Sequence, residues 1–446
     1  MSGLALALQA KGWVVSGSDA RRSDRTERLE QAGIAVAYGH AAAHLGDAEW
    51  VVYSTDVPES NPERAAARER GLALYHRSQI LAALIQDRQA ICVTGTHGKT
   101  TTTSMIGVIL RRAGLDPLVL VGGEVADLDG SNVFLGRGLW AVAEADESDG
   151  SFLRYHPHVA VVTNVEPEHL EHYGGRFENV VAAVEQFLGQ VRPGGIAVLG
   201  AEDPVLAALA PGLNCPLVTF GAGGIVEAAD IRVDPAGSSF AVHWEGRRLG
   251  EVRLARPGRH NIDNALAAVA AARHVGVEFA VIQEALAGFR GARRRFEEVL
   301  REGGIRVVDD YAVHPTEIRA TLQAARQVTD GRVVAVWQPH RLARLQALWK
   351  EFLAVAGLAD VLVVTDLYAP AGKTSAPGVD AEHWVAEAQR LHPNVRVVYA
   401  GGVPAAADVV AVLARPGDLI VTLGAGDVGR LAELLRGRLD RCAPCP

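Results

Sequence analysis

The chain has 446 residues, of which 49% are hydrophobic and 22% charged, with a formal net charge of −8. At roughly 150 residues per domain this suggests two to four domains, with apolar material for several cores. The acidic balance argues against a nucleic-acid partner, Arg293-Arg294-Arg295 being only a short basic run suited to a hinge or substrate contact, and no apolar stretch is long enough to predict a membrane span.

The cysteines are Cys92, Cys215, Cys442 and Cys445. Four in a chain of this length make no disulfide framework, and the terminal Cys442/Cys445 pair has no second pair with which to build a metal site. The start, MSGLALALQAKG, is apolar but has no basic leader. A cytoplasmic protein is expected.

In chain order, Met1 to Ala10 suggests the remainder of a first helix. Trp13 to Asp19 reads as a strand with a polar end, and Asp19 stands where a nucleotide-binding βαβ unit often meets a ribose. The glycine fingerprint that should precede it by about 20 residues is not in the chain. Further strands are expected at Ile34 to Val36, Trp50 to Ser54 and Leu72 to Leu74, with helical stretches between them. A second α/β unit starts near Gln89, with strands at Ala90 to Thr94, Leu118 to Val121, Trp140 to Glu144, Val159 to Asn164 and Ile196 to Leu199. Ile225 to Trp244 alternates as an antiparallel hairpin would, turning at Pro235-Ala236-Gly237, and an Ala-rich helix is expected from Ile262 to His274. After Gly291 strands are expected at Arg306 to Asp309, Val333 to Trp337, Val361 to Val364, Val395 to Tyr399 and Leu419 to Leu423. The pattern predicts an α/β chain of three domains, 1–88, 89–290 and 291–446.

The most informative segment runs from Cys92 to Thr103, CVTGTHGKTTTT. An apolar strand feeds a glycine turn, and a lysine and a threonine open a helix. Glycines let backbone N–H groups converge on a phosphate, and the helix start adds donors and a positive dipole. Gly95, Thr96, His97, Gly98 and Thr101 would surround the phosphates, Lys99 would meet the β and γ phosphates of ATP, and Thr100 would offer its hydroxyl to Mg2+. Such a loop is expected to be largely surface-exposed.

Acidic and histidine-bearing segments follow later strands. Glu144, Asp146, Glu147 and Asp149 stand after an apolar strand, as magnesium ligands or their organisers do. In NVEPEHLEH, Pro167 keeps the polar groups on a loop or first helical turn, and His169 could hold a second metal among Glu166, Glu168 and Glu171. Asn264 could read an adenine edge or merely cap a helix. Asp309, Asp310 and Tyr311 end one strand of the last domain and suit a nucleotide or substrate contact. Arg341 and Arg344 follow the next strand, where two arginines three apart could share one face of a starting helix and hold a carboxylate or phosphoryl group.

Together GTHGKTTTTSM, EADESDGSFL, NVEPEHLEHYG, HNIDNALAA, DDYAVHPTEI and QPHRLAR resemble, in order and over nearly the whole chain, the Mur ligase family. VVSGSD and STDVPESNPE add to the likeness in the first domain. The resemblance implies an α/β architecture of a Rossmann-like first domain binding a UDP-sugar, a central P-loop ATPase domain binding ATP and a Rossmann-like last domain receiving an amino acid. It implies ligation of L-alanine to UDP-N-acetylmuramate through an acyl phosphate, with ATP and Mg2+, leaving ADP and phosphate. It gives Glu144 and His169 as metal ligands, and Lys99, His169, Arg341 and Arg344 as the groups around the reaction. Asn264 and Tyr311 become nucleotide contacts. It also implies that a first strand and glycine loop would precede Met1, and that a histidine would stand where this chain has Val313. A murein tripeptide-recycling ligase is the nearest alternative, although EADESDGSFL lacks the longer aromatic segment expected there. A catalytically impaired nucleotide-binding relative is the other. A monomer and a homodimer are equally open.

Overall fold

The computed structural model describes residues 1–369, 376 and 378–439, so Cys442 and Cys445 lie outside the described residues. The chain divides into two compact units. The first holds 1–230, 240–252 and 263–292; the second holds 231–239, 253–262 and 293–446.

In the first unit the opening helix, Ser2–Ala10, is followed by strands β1 (Ser16–Asp19), β2 (Ala35–Tyr38), β3 (Trp50–Tyr53) and β4 (Ala73–His76). They form two separate parallel pairs, β1 with β2 and β3 with β4. The expected strand from Trp13 is shorter than its apolar run suggests: Val14 is fully exposed, and Trp13 meets the Trp50 ring edge-to-face while the ladder starts only at Ser16. The intervening helices start where capping chemistry allows. Ser23 and Thr26 form a reciprocal capping box, and Asn61 caps a helix whose first residue is Pro62.

Seven strands form the body of a separate, larger sheet: β5 (Gln89–Thr94), β6 (Leu118–Val125), β7 (Ser131–Leu135), β8 (Trp140–Glu144), β9 (Val159–Val162), β10 (Ile196–Gly200) and β11 (Leu217–Phe220). Their order is β11-β10-β9-β5-β8-β6-β7, parallel except for β7. The inner strands are continuous apolar runs because both faces are covered. Ile91, Cys92, Val93, Val142, Ala160 and Val161 are fully buried, and burial pushes the Cys92 thiol up to about 12. β12 (Val226–Asp234), β13 (Gly237–Trp244) and β14 (Arg247–Leu254) follow, with the expected turn at Pro235 and Ala236. The Ala-rich helix spans Arg259–His274.

The second unit is built on β15 (Glu297–Glu302), β16 (Ile305–Asp310), β17 (Val333–Trp337), β18 (Val361–Thr365), β19 (Arg396–Gly401) and β20 (Leu419–Leu423). Their order is β15-β16-β20-β17-β18-β19, parallel apart from the edge strand β15. One face packs on a core around Trp337, Phe352 and Trp384, the other on one around Ile420, Val410 and Leu431. The carboxyl ends of β16, β20 and β17 are neighbours, and in open α/β sheets that edge carries ligands.

Candidate active site

β5 runs directly into the loop Gly95–Gly98, and the helix Lys99–Arg112 starts at once. Gly95 and Gly98 have φ of +123° and +84°, conformations that L side chains rarely adopt. They are also sterically required: a Cβ at 95 would lie 2.2 Å from Thr163 Oγ1, and one at 98 would lie 2.3 Å from Asn264 Oδ1. The loop is therefore held between the end of β9 and the Ala-rich helix. Thr96 N–H donates to Asn164 O at 3.0 Å and His97 N–H to Asn164 Oδ1 at 2.9 Å. No side chain caps the first turn of the following helix, which leaves its N–H groups suited to an anion. Thr100 to Thr103 are poor helix formers, and burial rather than propensity holds them: Thr101, Thr102 and Thr103 are all inside.

The expectation of a surface-exposed loop is corrected here. Gly95 is buried and Thr96 to Thr100 are half-buried, because β9 and the Ala-rich helix close over them. Lys99 Nζ donates to Gly95 O at 2.6 Å, Thr96 O at 3.2 Å and Glu147 Oε1 at 2.9 Å. Burial opposes the lysine's charge, but Glu147, with Asp146 and Glu144 adding to it, holds Lys99 above the ordinary lysine value. Burial likewise pushes the Glu147 carboxyl up.

Thr100 Oγ1 donates to Glu144 Oε2 at 3.0 Å, and Gly122 N–H donates to the same oxygen at 2.8 Å. The two side chains expected at a metal are thus adjacent and offer only oxygen, the donor set that magnesium takes. A shielded glycine cradle with an uncapped helix start likewise fits a polyphosphate. His169 follows Pro167 with φ +55° at the start of a single turn, Leu170–His172, and its Nδ1 lies 3.9 Å from Glu171. Among the described residues no group of three close metal-ligating side chains includes both Glu144 and His169. Asn264 is buried and accepts from Thr102 Oγ1 at 3.2 Å, so its carboxamide oxygen is tied to the loop's own helix.

In the second unit Tyr311 is exposed at the end of β16, with the Arg294 and Arg295 guanidinium groups 5.4 and 5.3 Å from its ring centre. Arg294 is a structural tie, donating to Asp309 at 2.7 Å and to the carbonyls of Gly424 and Ala425 at 2.8 and 3.1 Å. Asp309 also accepts from Thr422 Oγ1 at 2.6 Å, and Asp310 accepts the N–H groups of Phe296 and Ala312. Both carboxylates are buried and held by these bonds. Arg341 and Arg344 do not share a helix face. Arg341 precedes the helix Leu342–Ala347 with φ +62°, while Arg344 lies inside it, 3.0 Å from His340 Nδ1. The bond of Glu147 to Lys99 was not foreseen: the sequence offers Glu147 as one of four carboxylates in an acidic run, with no spacing to single it out.

Three family models match in chain order: "Mur ligase family, catalytic domain" over 1–89, "Mur ligase middle domain" over 93–272, and "Mur ligase, glutamate ligase domain" over 294–426. A UDP-N-acetylmuramate–L-alanine ligase of Symbiobacterium thermophilum is 50% identical over 99% of this chain and 92% of its own length. The UDP-N-acetylmuramate–alanine ligase structure from Thermotoga maritima is 29% identical, with a TM-score of 0.84, covering 97% of this chain and 95% of that one. A murein peptide ligase from Psychrobacter arcticus is 26% identical, with a TM-score of 0.72, over 100% of this chain and 97% of that one. Matched domain by domain, and along its length by a half-identical relative, the chain belongs to the Mur ligase family.

Proposed function

We propose that the chain is an ATP-dependent, ADP-forming ligase that joins L-alanine to the carboxylate of UDP-N-acetylmuramate in peptidoglycan precursor synthesis. The observation that carries this reading is the convergence of Lys99, Thr100 and Glu144 at an uncapped helix start behind a glycine loop. The name shared by the half-identical relative and the best-fitting solved structure reported above supports the substrate assignment.

In this reading residues 1–88 bind the UDP-sugar, 89–290 bind ATP, and 291–446 receive the amino acid. Gly95, Thr96, His97, Gly98 and Thr101 line the phosphates, and Lys99 meets the terminal ones. Thr100 and Glu144 would hold magnesium, with His169 at a second ion. Bound magnesium would neutralise charge on the phosphate oxygens. Asn264 and Tyr311 lie on the nucleotide side. The sugar-acid carboxylate oxygen attacks the γ phosphorus, and ADP leaves. The alanine amine then attacks the acyl carbon, phosphate leaves, and the amine gives up a proton. Arg341 and Arg344 hold the anionic groups of that second step. The cytoplasm, where ATP and UDP-sugars are made, is the matching compartment; among the described residues no helix is long and apolar enough to cross a membrane.

The test is phosphate release with UDP-N-acetylmuramate, ATP and each of L-alanine, glycine, L-serine and L-Ala-γ-D-Glu-meso-diaminopimelate, with and without magnesium. Turnover with L-alanine, yielding ADP and dependent on magnesium, is expected. Turnover with the tripeptide alone, or AMP and pyrophosphate as products, would overturn the reading.

A further inference from the structure

Lys99 has three N–H groups and no lone pair to offer, and all three are engaged. Two reach Gly95 O and Thr96 O, carbonyls of the very turn that shapes the loop. The third reaches Glu147 Oε1, from a different segment. A phosphate can bond this ammonium only by displacing one of the three. Displacing a loop carbonyl would loosen the cradle that the phosphate needs. Displacing Glu147 costs the loop nothing and removes a negative charge from the phosphate's path.

Glu147 is held at its backbone and flanked by acidic neighbours that already have partners. The Glu147 backbone is pinned: its carbonyl accepts from Tyr173 Oη and from Gly150 N–H, the latter at 3.0 Å. On one side Asp146 pairs with Arg77 at 2.7 Å. On the other Asp149 accepts from Thr55 Oγ1, and from Ser151 N–H at 3.0 Å. Thr94 Oγ1, 3.4 Å from Glu147 Oε2, offers the departing carboxylate a hydroxyl already in reach.

We propose that Glu147 is a positioning residue of the phosphate loop, whose carboxylate competes with the nucleotide's terminal phosphates for one N–H of Lys99. Glu147 thereby sets the affinity for the polyphosphate without touching it. This rests on the nucleotide-binding part of the function proposed above.

The experiment is titration calorimetry on the full chain and its Glu147→Gln and Glu147→Asp variants, with magnesium and AMP, ADP or β,γ-methylene-ATP. Circular dichroism checks that each variant is folded. Glu147→Gln should bind ADP and the ATP analogue about tenfold more tightly, the effect of easing one charge-assisted bond. AMP affinity should not change, since AMP lacks the phosphates that compete. Glu147→Asp, with the charge kept but withdrawn, should tighten binding less, and it carries the test alone if the glutamine variant does not fold. A purely structural Glu147 would weaken all three ligands together, and that result, or unchanged ADP affinity, overturns the proposal. Failure of the unaltered protein to bind any of the three would instead overturn the function reading.

Discussion

Gly98 and Asn264 are in contact so close that the glycine's missing side chain is part of the site: a Cβ at 98 would lie 2.3 Å from Asn264 Oδ1. The glycine also holds φ +84°, and Asn264 is anchored by Thr102. Gly98→Ala therefore faces backbone strain and a clash at once. We expect a stability loss of about 1–3 kcal/mol by urea denaturation and loss of measurable ADP binding. Normal ADP affinity in this variant would show that the loop can relax without Asn264 and that the contact does not matter.

Lys99 and Glu147 form a buried pair, so removing one partner is not a neutral probe of chemistry. Lys99→Ala should abolish turnover, but it should also cost about 3–5 kcal/mol by leaving a buried carboxylate uncompensated. The fold is not expected to be indifferent to it, as it would be for an exposed lysine. Adding Glu147→Gln should restore much of the stability and none of the activity. If the double variant melts where Lys99→Ala does, the pair is not coupled.

Much of this was legible in the sequence, and what was not has physical causes. Trp140–Glu144, Val333–Trp337 and Leu419–Leu423 were bounded correctly because strands buried on both faces are uninterrupted apolar runs. β15, with sequence EEVLRE, was not foreseen: it is an antiparallel edge strand, held by its pairing with β16 and by ion pairs such as Glu298 with Arg306. The phosphate loop was readable because glycine, lysine and threonine are each needed at fixed positions. Glu147 was not, because which carboxylate of a turn points at the lysine depends on the turn's direction. The spacing of Arg341 and Arg344 misled for a related reason. A three-residue interval makes a shared face only inside a helix, and Arg341 stands before it in a left-handed conformation.

His260, in the first turn of the Ala-rich helix, is pushed down to about 4 by burial, with Arg295 adding to the effect and Glu317 opposing it. Its value in the folded state lies below the unfolded one, so its contribution to stability is whole above about pH 6.5 and is lost as pH falls toward 4. The protein should lose about 2 kcal/mol between pH 7 and pH 5 on this account. Asp310, pushed up to about 6 by burial, works in the opposite direction over part of the same range. The cleaner measurement is the difference between the unaltered protein and His260→Asn by urea denaturation. That difference should move in favour of the variant by about 2 kcal/mol as pH falls from 7 to 5. A pH-independent difference would mean that His260 is protonated as readily in the folded chain as in the unfolded one.

Val313 stands at the carboxyl end of β16, where the family resemblance places a histidine. Its N–H and that of His314 both donate to Glu317 Oε2, at 2.9 and 3.2 Å, and His314 caps the helix Pro315–Gln327. The backbone of this corner is therefore fixed by Glu317 and the cap, independently of the side chain at 313. That side chain is half-buried and can neither donate nor accept a hydrogen bond. In the proposed mechanism Arg341 and Arg344 hold a carboxylate, so ligation of L-alanine should survive the valine. Because the backbone is already held, Val313→His can be read as a change of side chain alone. If an imidazole here gains a hydrogen bond to the charged amino acid, worth about 1.5–3 kcal/mol, the KM for L-alanine should fall roughly tenfold to a hundredfold. Preference over glycine and L-serine should rise with it, while the KM for ATP stays put. The measurement is steady-state phosphate release against each amino acid at saturating ATP and UDP-N-acetylmuramate. An unchanged KM and an unchanged preference would show that the residue at 313 shapes its corner of the domain without selecting the amino acid.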